Sequence, residues 1–89
     1  MFKVTEATLN ELNERIRTST VGKLIRLQMR KSCFMKVKIT LEATAGTNDE
    51  QVAIDGLEFI IDKGERHYFR NKTLDFIPDQ TGFKQFEIL

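Results

Sequence analysis

The segment Lys23 to Glu42, KLIRLQMRKSCFMKVKITLE, changes side every residue. Ile25, Leu27 and Met29 alternate with Arg26, Gln28 and Arg30; beyond Lys31-Ser32-Cys33-Phe34-Met35-Lys36, Val37, Ile39 and Leu41 alternate with Lys36, Lys38, Thr40 and Glu42. A period of two places one row of each segment on one face of a pleated strand. The pattern therefore predicts two neighbouring antiparallel strands, with the apolar rows buried together and a turn at KSCFMK.

Upstream of this pair the period is that of a helix. Thr5 is suited to cap it, Glu6 stands in the first turn where the helix dipole favours a carboxylate, and Leu9, Leu12 and Ile16 form one apolar stripe. Asn10, Asn13, Glu14, Arg15 and Arg17 fill the other face. Such a short amphipathic helix has to dock on an apolar surface, and it is expected to end between Thr18 and Gly22.

Downstream, Ala43 to Glu50 is small and polar and reads as a surface loop. Gln51–Ile54 and Leu57–Ile61 flank Asp55-Gly56, a dipeptide that fits the positive backbone angles of a two-residue hairpin turn. His67–Arg70 and Thr73–Ile77 flank Asn71-Lys72 and are expected to form a further strand pair, since asparagine tolerates a left-handed turn. Pro78 to Gly82 reads as a turn and Phe83 to Leu89 as a last strand. The expected fold is α+β: one N-terminal amphipathic helix packed on a curved, mainly antiparallel sheet of six or seven short strands, in a single domain over residues 1–89.

Composition narrows the setting. The 89 residues are 40% apolar and 30% charged, enough for one core of modest stability. A lone cysteine forms no internal disulfide, and the amino terminus has neither the basic region nor the apolar run of a signal peptide, so a reducing, cytoplasmic setting is expected. No segment is apolar for long enough to span a bilayer. A net charge of +1 provides no global field for nucleic acid or anionic lipid, so a nucleic-acid partner is not expected and any charged partner needs a local patch.

No catalytic constellation is legible. Catalysis needs converging groups, and Cys33 with His67 as a nucleophile and base would rest on a spatial proximity that the sequence does not show. His67 reads as a partly exposed strand residue. Cys33 reads as a turn or packing residue, with metal ligation as the alternative. Arg26, Arg30, Lys36 and Lys38 fall on one face of the first strand pair, with Lys31 at its turn. They form either a solvated sheet face or a docking site for an acidic protein or phosphates. Phe34 and Met35 at the tip either fold back over the helix or stand out as a contact patch.

At Arg26-Leu27, and over FIIDKGERHYFRNKTLDF (Phe59 to Phe76), the chain resembles the HesB-like family of A-type iron-sulfur cluster carriers. It is similar to that family's apolar strand, aspartate, polar run, aromatic, glycine turn and Leu-Asp-aromatic, with Asn71 in place of the turn glycine. Gly82-Phe83 resembles the Gly-Phe before the family's last strand, and Thr5 with Ala7 its opening helix.

The resemblance implies a non-enzymatic role in iron-sulfur cluster assembly, with assembly proteins as partners. It also implies three cysteine ligands, one in the turn after the first strand and two in a C-terminal Cys-Gly-Cys-Gly segment. This sequence has Cys33 alone, and an ungapped alignment puts Phe34 on the family's first cysteine position. The expectation is a degenerate member that does not hold a cluster in the three-cysteine mode. Because a cluster needs several thiolates, iron or a [2Fe-2S] cluster at Cys33 would have to be shared between subunits of a homodimer. The competing expectation is a protein- or nucleic-acid-binding module that uses the Phe34-Met35 tip and the adjacent basic strand face.

Overall fold

The computed structural model describes residues 1–30 and 35–89; Lys31, Ser32, Cys33 and Phe34 lie outside the described residues. Seven strands, β1 (Lys3–Val4), β2 (Leu24–Met29), β3 (Lys36–Glu42), β4 (Asp49–Ile54), β5 (Leu57–Asp62), β6 (Thr73–Pro78) and β7 (Lys84–Ile88), form one sheet in the order β1-β6-β7-β3-β2-β5-β4. The β1–β6 and β2–β5 contacts are parallel and the other four antiparallel. The sheet curls nearly into a barrel, and one helix, α1 (Glu6–Thr18), packs on it. The expected α+β architecture with a mainly antiparallel sheet is the one formed.

The helix forms for local reasons. The Thr5 hydroxyl accepts the Thr8 N–H at 3.2 Å, satisfying one of the first-turn donors that a helix leaves free. Arg15 pairs with Glu11 at 2.8 Å one turn earlier, which adds a few tenths of a kcal/mol. Tertiary contacts then fix its position: the Thr5 hydroxyl donates to Asp75 at 2.7 Å, and the buried Thr8 hydroxyl donates to the Leu74 carbonyl at 2.9 Å. Leu12 is fully buried, with Leu9 and Ile16 packed beside the core.

The core lies between the helix and the concave face of the sheet. Ile25 and Leu27 from β2, Phe59 and Ile61 from β5, and Leu74 from β6 are fully buried there. Each such side chain contributes roughly 1.5–3 kcal/mol relative to an exposed one. Phe2 packs edge-on against Phe59, with ring centroids 5.2 Å apart.

The hairpin expected at Asp55-Gly56 is present. Asp55 (φ 51°) and Gly56 (φ 82°) both take the left-handed conformation that a two-residue turn requires, and β4 and β5 pair from Ile54↔Leu57 to Asp49↔Asp62. Asn71 likewise has φ 60°.

The strand expected over His67–Arg70 does not form. Arg66–Tyr68 make one turn of 3₁₀ helix instead, with the Tyr68 N–H donating to the Glu65 carbonyl and the Phe69 N–H to the Arg66 carbonyl. Two contacts override the alternation. Glu65 accepts the Met29 N–H at 2.9 Å, which ties the turn to the end of β2, and Phe69 is fully buried with its ring 6.1 Å from Phe2. In place of that strand β6 pairs with β1: the Lys3 N–H donates to the Lys72 carbonyl and the Thr5 N–H to the Leu74 carbonyl.

Candidate functional site: the end of the first strand pair

Strands β2 and β3 pair residue for residue from Leu24↔Glu42 to Met29↔Val37, and the Arg30 N–H donates to the Lys36 carbonyl at 2.9 Å. The register puts Arg26, Gln28, Arg30, Lys36, Lys38 and Thr40 on the face opposite the core, as the alternation requires. Cys33, Phe34 and Lys31, three of the expected site residues, lie outside the described residues.

Their surroundings are defined. Met35 follows them with φ 82°, a conformation uncommon outside glycine, and is 41% exposed. Its carbonyl accepts the Ile88 N–H at 2.8 Å, while Leu89 and Thr73 exchange both backbone hydrogen bonds at 2.8 Å. The end of β7 and the exposed Leu89 are thereby brought to the same end of the sheet as Met35.

The basic residues divide into two groups. Arg26 is 16% exposed and committed to the fold: its guanidinium meets Asp49 at 2.7 and 2.6 Å and Glu42 at 2.6 Å. Hydrogen bonds from Arg26, joined by the Gly46 N–H, hold the Asp49 carboxyl down to about 2, and the same guanidinium holds Glu42 below the ordinary carboxylate range. Ile60, in register with Arg26 on this outer face, is fully buried. This part of the face is closed. Lys36 is half-buried and 3.6 Å from Glu87, whereas Arg30 and Lys38 are exposed.

Sequence reading missed the two carboxylates that engage Arg26. Glu42 was legible as a partner, being sixteen residues away on the neighbouring strand and in the same row. Asp49 was not, because it reaches Arg26 across β5.

His67 is exposed in the 3₁₀ turn and its ring stacks against Tyr68, with centroids 4.1 Å apart. Among the described residues, no three His, Cys, Asp or Glu side chains converge in a group that could hold a metal ion. One thiol does not fit the donor set of an iron-sulfur cluster held by a single chain. Among the same residues no helix is long and apolar enough to cross a membrane.

This architecture is the HesB-like α+β fold. It is similar to a protein from Aquifex aeolicus solved by NMR, with a TM-score of 0.77 and 23% identity over 99% of this chain and 89% of that one. It is similar to IscA crystallised with the [2Fe-2S] cluster, with a TM-score of 0.70 and 23% identity over 100% and 84%. A third similar structure is Escherichia coli SufA, involved in biosynthesis of iron-sulfur clusters, with a TM-score of 0.71 and 13% identity over 99% and 83%. In sequence, no protein-family model and no curated protein matches the chain.

Proposed function

We propose that residues 1–89 form one HesB-like domain that serves iron-sulfur cluster assembly in the cytoplasm as a non-enzymatic, protein-binding member. It binds proteins of that pathway and does not carry a cluster on three thiols of its own. One observation carries this reading: the fold of IscA and SufA spans essentially the whole chain, while the 89 residues contain one cysteine. On this reading the scaffold acts through its surface.

That surface is the end of the β2–β3 pair, where Met35, Arg30, Lys36 and Lys38 stand, with Phe34 and Lys31 of the adjoining segment assigned to the contact from the sequence alone. Exposed Met35, presented by a left-handed backbone, favours a protein contact over nucleic acid. Arg26, held by two carboxylates, contributes to the shape of this face more than to its free charge. A homodimer sharing iron or a [2Fe-2S] cluster through Cys33 is the competing arrangement, and two such thiols supply half of the usual four.

Anaerobic reconstitution with iron and sulfide tests the reading, with Cys33→Ser in parallel. The expected result is no stoichiometric visible chromophore in either protein. A stoichiometric chromophore in the parent that Cys33→Ser abolishes would make the protein a carrier and overturn the reading.

A further inference from the structure

Strand β7 accompanies β3 only at Lys36 and Val37 and then diverges, so Ile39 and Leu41 have no described strand on that side. The direction of their backbone groups follows from the register. In an antiparallel ladder alternate residues turn both N–H and C=O to the same side. Lys36 turns toward β2, where its carbonyl accepts the Arg30 N–H, and Met35 turns toward β7, where its carbonyl accepts the Ile88 N–H. By the same alternation Val37, Ile39 and Leu41 all face the β7 side. Val37 meets Phe86 there; beyond it the N–H and C=O groups of Ile39 and Leu41 turn to the side on which no described strand pairs with them, and Ile39 lines the opening on that side.

The opening is a groove of about 300 Å³ between β3, the β6–β7 hairpin and the C-terminal half of α1. Its apolar wall is Ile39, Phe76 and Phe86, the two rings lying 4.6 Å apart. Arg30, Lys38 and Lys84, all exposed, stand at its rim, and the Arg15 guanidinium lies 4.9 Å from the Phe86 ring centroid. None of the described residues lining it is acidic.

We propose that this groove takes a short, extended, acidic segment of a partner protein, which adds as a strand to β3 at Ile39 and Leu41. Main-chain hydrogen bonds to an exposed edge give such a contact its affinity, and alternate side chains give it specificity. Apolar residues of the segment face Phe76 and Phe86, and intervening carboxylates meet the cations at the rim. Charge complementarity selects the occupant, since a basic or neutral strand would leave these cations unpaired. The inference does not depend on the iron-sulfur reading: it needs only the groove and the edge of β3 that, among the described residues, has no strand partner beyond Val37.

A fluorescein-labelled heptapeptide of alternating glutamate and valine is the probe, read by anisotropy and by amide NMR of the intact protein. Saturable binding is expected, with slowed hydrogen exchange at the Ile39 and Leu41 N–H groups. The double variant Lys38→Glu, Lys84→Glu is expected to bind about tenfold or more weakly, as is a peptide N-methylated at alternate residues, which keeps its charges but cannot complete the ladder. Equal affinity of the N-methylated peptide would reduce the contact to charge alone and overturn the proposal. So would no saturation at about 1 mM peptide, a limit near the weakest specific affinities. Protection of Ile39 and Leu41 in a dimer of the free protein would overturn it as well, with a second copy as the occupant.

Discussion

The guanidinium of Arg26 on β2 and the carboxylate of Asp49 on β4 meet through two hydrogen bonds, at 2.7 and 2.6 Å, across the intervening strand β5. The Asp49 side chain is 4% exposed, so the pair is largely shielded from solvent. Removing Asp49 leaves Arg26 with Glu42 alone, and removing Arg26 leaves the Asp49 carboxylate with the Gly46 N–H alone. Asp49→Ala is expected to cost about 2–4 kcal/mol, somewhat less than the roughly 3–5 kcal/mol for breaking an isolated buried pair, because Glu42 still engages Arg26. Arg26→Lys should recover little of an Arg26→Ala loss, because an ammonium cannot bridge both oxygens in this geometry. Urea unfolding of the three variants measures both.

The same pair sets an acid limb. The folded-state Asp49 carboxyl lies at about 2, below its unfolded value, so its contribution to stability is complete above about pH 4 and is lost as pH falls through about 2. Asp49→Asn should flatten the stability profile across that window. An unchanged slope between pH 4 and pH 2 would assign the acid limb to other carboxylates.

Gly22 marks a close backbone approach. A Cβ at this position would stand 2.3 Å from the Glu42 carbonyl oxygen and 2.5 Å from the Ala43 Cα, and backbone cannot rotate away as a side chain would. Gly22→Ala is therefore expected to destabilise by about 1–3 kcal/mol, the range for overpacked sites. For a domain of this size that lowers Tm by several degrees, readable by calorimetry. Gly46→Ala, facing only the Asp49 side chain at 3.2 Å, should change it less.

Thr8 is a fully buried polar residue on the core side of α1 whose hydroxyl donates to the Leu74 carbonyl. Thr8→Val keeps the shape and removes one of that carbonyl's two donors, the Thr5 N–H remaining, at an expected cost of about 0.5–1.5 kcal/mol. Thr8→Ser keeps the donor and should cost less. The ordering of the two midpoints in denaturant is the test; a Val variant as stable as the Ser variant would show the hydrogen bond to be neutral.

Asn71 holds φ 60° at the turn before β6. Asn71→Gly should be tolerated, whereas Asn71→Val should cost about 1–2 kcal/mol, because a β-branched side chain crowds the backbone in this conformation. Thermal unfolding of both variants distinguishes conformational strain from loss of the asparagine amide.

Much of this protein is written locally. The Thr5 cap with Leu9, Leu12 and Ile16 sets α1, the alternation on either side of KSCFMK sets β2 and β3, and Asp55-Gly56 sets the β4–β5 turn, because each depends on chemistry within a few residues. The HesB-like resemblance was legible for the same reason, as a series of short motifs in order.

The tertiary structure alone decided the rest. Lys3 and Val4 are too few to show a period, and they become a strand only because β6 offers a free edge. The alternation at His67–Arg70 is real, yet burying Phe69 beside Phe2 and tying Glu65 to Met29 converts it to a helical turn. Arg26 looks like any member of a basic row until strand order brings Asp49 within reach across β5. The divergence of β7 from β3 likewise has no local signal. Short-range preferences select elements; which elements become neighbours, which charges are neutralised and which edge stays free depend on contacts between residues far apart in the chain.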